Sequence, residues 1–236
     1  MARSCGIRIG PRRYELVVLD GSAKKHRIAA YCAGEFPAAG EEARSAAIDI
    51  LREALKKHRV PRENVSIAVD TGKAAFRHLS LPFGDRNKIA QVVKFEVESQ
   101  LPQWNIDDVV VDFQVLESNQ EASELLVTGA PKALIGASIE LCERAGVEPL
   151  DAELETSAMV NAAATAQLCP AEEAVLLVHI GELSTSVVVM DGGVVRDMRV
   201  IHLGGLTHET PLVASEAPTE AAPTEGGQAE LATPAE

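Results

Sequence analysis

Residues 175–201 read VLLVHIGELSTSVVVMDGGVVRDMRVI, and this stretch decides the fold class. Val175 to Ile180, Thr185 to Asp191 and Val194 to Ile201 are strand-length runs of β-branched and aliphatic residues separated by two turn signals. Gly181 opens the first turn, and Gly192-Gly193 supplies the pair that a tight hairpin favours. The three runs form a meander. The same design stands near the start of the chain, where Gly6 to Gly10, Tyr14 to Asp20 and Arg27 to Phe36 are β-rich and Gly10 marks the first turn. Two meanders of one design imply a duplicated architecture.

The sequence between them alternates helical and strand patterns. Glu41 to His58 carries Ala43, Ala46, Ala47, Ile50, Leu51, Ala54 and Leu55 on one stripe, an amphipathic helix that ends before Pro61. Val65 to Val69 is a strand that enters a turn at Asp70 and Gly72, and Ala75 to Leu81 is another. Asp85 caps a second helix, with Ile89, Val92, Val93 and Val97 at helical spacing, that closes near Leu101 and Pro102. Strands are expected over Val109 to Leu116 and Glu124 to Gly129. Helices are expected over Lys132 to Ala145, closed by Gly146, and over Glu155 to Gln167. The fold class is therefore mixed α/β.

With 236 residues, 46% of them apolar, the chain can build one large or two small cores. Cys5, Cys32, Cys142 and Cys169 lie far apart with no CxxC pair, so they suggest neither a zinc knuckle nor a disulfide framework. Met1 to Gly10 is too short and polar for a signal peptide, and the apolar runs are strand-length, so membrane association is expected only through a partner. A net charge of -13 with scattered lysine and arginine speaks against nucleic-acid binding. From about Pro211 onward the sequence is dominated by Pro, Ala, Thr, Glu and Gly, with no lysine, arginine or aromatic residue. Residues 207–236 are expected to be a disordered acidic tail.

The segment Lys94-Phe95-Glu96-Val97-Glu98-Ser99-Gln100-Leu101-Pro102, followed by Asp108-Val109-Val110-Val111-Asp112-Phe113-Gln114-Val115-Leu116, resembles the PilM family, actin-like cytoplasmic proteins of type IV pilus assembly. Leu125-Leu126-Val127, Ala130-Pro131-Lys132, Ala145-Gly146 and the stretch from Asp151 to Ala158 are similar to that family in order and spacing. The resemblance covers roughly residues 5 to 206. It implies an actin-like, ribonuclease H-like fold whose first half, residues 1–170, carries a small α/β insertion at about 74–130. Residues 171–206 would begin a second half that is incomplete here, in a chain that is either naturally short or a fragment.

Proteins of this fold bind nucleotide between their halves. The resemblance makes Gly10 and Gly181 the glycines of two phosphate loops, where a missing Cβ lets backbone N–H groups approach phosphate oxygens. Gly204 and Gly205 would be further positions in the same cleft. Actin-like ATPases place an aspartate two residues before each loop glycine to hold hydrated magnesium, and here those positions are Arg8 and His179. A guanidinium repels the metal, and imidazole is a poor ligand for a hard cation, although His179 also reads as a plain hydrogen-bonded core histidine. Glu155 stands where the family keeps the residue that positions the attacking water, and also where a helix dipole favours a carboxylate.

With Arg8 and His179 at the two metal positions and the second half incomplete, the expectation is a PilM-like cytoplasmic scaffold without ATPase activity and with no cofactor, residual binding of ATP and magnesium being left open. Its implied partners are the tail of a PilN-like inner-membrane protein and a secretion motor ATPase. Phe95 and Trp104 are candidate partner contacts, though an aromatic on a helical stripe is commonly core. The alternative is an actin-like ATPase or sugar-kinase-like enzyme. An ion pair between Arg8 and Glu155 is expected to turn the pocket into a static brace.

Overall fold

The computed structural model describes residues 3–22, 24–37, 42–170 and 172–205. The tail expected over 207–236 lies outside them. The chain runs β1 (Arg3–Ile9), β2 (Arg13–Ser22), β3 (Lys25–Glu35), α1 (Ala43–Lys57) and β4 (Val65–Val69). It continues through β5 (Ala75–Leu81), α2 (Arg86–Glu98), β6 (Val109–Ser118), β7 (Ser123–Pro131) and α3 (Lys132–Ala145). Then follow β8 (Pro149–Leu154), α4 (Glu155–Thr165), β9 (Val175–Ile180), β10 (Thr185–Asp191) and β11 (Val194–Ile201).

Period-two burial explains the first sheet. Cys5, Ile7 and Ile9 on β1 and Tyr14, Leu16 and Val18 on β2 are buried on one face. The sheet has five strands in the order β3-β2-β1-β4-β8, with the meander antiparallel and β4 and β8 added in parallel. Helix α1 puts Leu51, Ala54 and Leu55 into the core that this sheet lines, with Lys56 and Lys57 in the last turn where the dipole favours cations. Helix α3 packs beside α1 and ends at Gly146, whose φ of 107° is a left-handed cap that glycine adopts without a Cβ penalty.

The second meander forms its own three-stranded sheet in the order β11-β10-β9. Gly192 and Gly193 both have positive φ, 62° and 72°, as a two-residue hairpin of this kind requires. Its inner residues Val188, Met190, Val195 and Met198 join the same core as Ile7, Leu16, Leu51 and Ile67, so the two meanders share one apolar interior. A third sheet, β5-β7-β6, carries α2. It has a separate core of Leu79, Ile89, Val93, Val97, Leu101, Leu125 and Val127. Asp85 caps α2 by accepting a 2.9 Å hydrogen bond from the Lys88 amide.

Strand β8 is a correction to the sequence reading, which left Pro149 to Leu154 without regular structure. It is an edge strand with Pro149 first and with Asp151 and Glu153 among its mostly outward residues, so it shows no apolar alternation. Register then sets the site. Ile9 pairs with Val69 and Val69 with Leu154, so the three parallel strands end level with one another. Open α/β sheets bind their ligands beyond such carboxyl ends.

Candidate functional site

Three chain segments meet there. Arg8 lies one residue before the end of β1, Thr71 two residues beyond β4, and Glu155 directly after β8 at the first position of α4. The Arg8 Nε donates to Glu155 Oε2 at 2.6 Å, which realises the expected ion pair. Glu155 Oε1 lies 3.8 Å from His179 Nδ1 on β9 and accepts from the Thr71 amide at 3.5 Å. Both carboxylate oxygens are thus engaged, and the Glu155 side chain is only 4% exposed. The Arg8 guanidinium is pulled down by burial, but the charge and hydrogen bond of Glu155, aided by Glu15 and Glu182, outweigh that and hold it above the usual arginine range. It stays a cation.

Thr71 and Thr156, both fully buried, extend the network. The Thr156 hydroxyl donates to Thr71 Oγ1 at 2.8 Å and the Thr156 amide donates to the same oxygen at 3.2 Å, which pins the loop after β4 to the start of α4. Sequence reasoning missed both threonines, since a hydroxyl in a turn carries no signal of its burial.

The glycine positions are brought together, with their amides already committed. Gly10 N–H donates to Arg13 O at 2.9 Å, Gly181 N–H to Ser184 O at 2.8 Å, and Gly205 N–H to Gly181 O at 2.8 Å. Gly204 sits so close to the second hairpin that a Cβ there would lie 2.5 Å from the Glu182 carbonyl oxygen. Glu182, another residue the sequence did not single out, reaches across to the first hairpin and accepts from the Arg12 amide at 2.8 Å. Arg8, Arg13, Glu15, His179 and Glu182 line the remaining cavity, of about 320 Å³. As a donor set this does not fit magnesium, because a fixed guanidinium occupies one position that needs an anionic oxygen and an imidazole the other.

The two aromatic candidates lie apart from this cleft. Phe95 projects from α2 with 69% of its surface exposed. Trp104 is half-buried against the core of the third sheet and lines a groove of about 430 Å³ with Lys73, Phe76, Arg77, Arg199 and His202. A second groove, about 270 Å³, runs between the first and third sheets past Val69, Phe113, Ile135 and Leu154. Among the described residues no helix is long and apolar enough to cross a membrane.

The model of the type IV pilus assembly protein PilM matches residues 6–217. The chain belongs to the PilM family. A solved PilM–PilN type IV pilus biogenesis complex is similar at 23% identity and a TM-score of 0.75, with 86% of this chain and 62% of that chain covered. This chain therefore spans less than two thirds of that relative. The cytoplasmic domain of EpsL, an inner-membrane component of the type II secretion system of Vibrio cholerae, aligns at 14% identity and a TM-score of 0.55, covering 85% and 71%. A Bacteroides thetaiotaomicron protein of actin-like ATPase fold aligns at 8% identity and a TM-score of 0.52, covering 86% and 70%. At these identities the likeness is one of fold, and the fold is actin-like. No curated protein matches the chain.

Proposed function

We propose that this PilM-family chain is a cytoplasmic binding scaffold of pilus assembly that holds the tail of a PilN-like inner-membrane protein and turns over no ATP. The observation that carries the reading is the Arg8–Glu155 pair at 2.6 Å, with His179 beside it. A cation fixed to the one carboxylate suited to catalysis leaves neither a metal position nor a free base for water, so the fold keeps its shape without its chemistry. A motor ATPase is a further expected contact. Support for the tail partner comes from the similarity to a PilM–PilN complex and from surfaces suited to a peptide, namely the exposed Phe95 and the two grooves that flank the third sheet. An aromatic anchor with a polar surround is a common design for such contacts.

The test is a fluorescence-anisotropy titration of the full chain with a labelled peptide of the cytoplasmic tail of a PilN protein. Saturable binding is expected, and Phe95→Ala should weaken it about tenfold, the loss of about 1.4 kcal/mol of a modest hot spot. Absence of binding at millimolar peptide would reject the scaffold reading.

A further inference from the structure

We propose that the groove beside Trp104 is a docking site for an acidic peptide, and that its occupant is the chain's own segment 207–236. This docking is independent of the partner peptide and goes beyond the scaffold reading. The groove, of about 430 Å³, opens between β5 and β11. Lys73, Arg77, Arg199 and His202 line it, and among the described residues no aspartate or glutamate does. The chain as a whole carries a net charge of -13, so a cavity walled by basic side chains alone is a local reversal of sign that attracts anions.

These cations are largely unspent within the fold. Lys73 is exposed and has no ion-pair partner among the described residues. Arg77 donates its Nε and Nη1 hydrogens to the carbonyl oxygens of Gln100 and Phe76, at 3.1 and 2.8 Å, which fixes the guanidinium and leaves its charge uncompensated. Arg199 alone of the four meets a carboxylate, that of Asp197 at 3.0 Å. Trp104, Phe76 and Met198 supply apolar surface in the same groove.

The segment fits by charge and by reach. Residues 207–236 hold Glu209, Glu216, Glu220, Glu225, Glu230 and Glu236 and no lysine or arginine. An extended chain spans about 3.4 Å per residue, so Glu209, seven residues after His202 on the groove's wall, lies within about 24 Å of it. Exposed ion pairs are individually weak, but so short a tether holds the carboxylates at an effective concentration of about millimolar. The other groove beside the third sheet carries Asp112 and Glu153, so it repels the segment and stays open to a partner.

Carbodiimide coupling of the full chain, which joins a lysine to a carboxylate in contact with it, tests this. Peptide mapping should find Lys73 joined to a glutamate of 207–236 within one chain. At about 1 M salt, where screening shortens electrostatic reach to about 3 Å, the yield should fall about fivefold or more. Trp104 is the only tryptophan, so its indole N–H resonance reports on the groove alone. A variant carrying Glu209→Gln, Glu216→Gln, Glu220→Gln, Glu225→Gln, Glu230→Gln and Glu236→Gln alters none of the described residues. It should shift that resonance at low salt, and high salt should bring the wild type to the same position. An unmoved indole resonance in the variant, or no coupling of Lys73 to the segment, would overturn the proposal. Coupling found only between two chains would overturn it in favour of a second copy as the donor of the peptide.

Discussion

At the scale of single residues, Arg8 sets the character of the cleft. Its guanidinium side chain is 16% exposed and that of Glu155 4%, so each is costly to leave without the other. Arg8→Ala and Glu155→Ala should each destabilise the chain by about 3 kcal/mol, and the double variant should cost less than their sum by about 1 to 3 kcal/mol. Urea unfolding of the four proteins in the cycle checks this, and additive losses would deny the pair. Burial also pushes the Cys5 and Cys142 thiols up to about 12. Native-state alkylation should therefore spare both and label the half-buried Cys32 and Cys169, as mass mapping can read. A thiol whose folded value is raised stabilises the fold below its unfolded value and loses that contribution as the pH climbs. Stability should accordingly fall between about pH 9 and about pH 12, and less steeply once Cys5 and Cys142 are replaced by alanine. The Arg8–Glu155 contact was legible through the family resemblance, whose geometry places the residue two before Gly10 and the first residue of α4 in one cleft. Glu182 was not, because an acidic turn residue reads as solvated and its burial depends on an amide 170 positions away.

At the scale of elements, strands made of apolar runs between turn signals were readable and β8 was not. Val65–Val69, Val175–Ile180 and Thr185–Asp191 stand where apolar runs between turn signals put them. Strand β8 has no such pattern, since its place comes from pairing with β4 and not from burying its own side chains. Helix α2 was legible from its cap and stripe, and it separates two kinds of apolar residue. Leu101, just beyond its end, is 1% exposed, whereas Phe95 on its outer face is 69% exposed. Leu101→Ala should cost about 2 to 5 kcal/mol in chemical denaturation, and Phe95→Ala should stay within about 0.5 kcal/mol. That contrast lets a loss of peptide binding in Phe95→Ala be read as a lost contact and not as unfolding.

At the scale of the whole molecule, two copies of one meander share a core and face each other across a crevice. The register of β1, β4 and β8 brings three loops to one end, and the hairpin after β9 supplies the opposing wall. In an actin-like enzyme such a crevice would hold nucleotide and metal. Here Arg8 meets Glu155, and the backbone amide of Arg12 meets Glu182. Reversing a single charge does not recreate a metal site, because His179 still stands at the second position. The most direct measurement is titration calorimetry of the full chain, wild type and Arg8→Asp, with magnesium and ATP. No saturable heat at millimolar nucleotide is predicted for either protein, and a micromolar Kd in either would contradict the account.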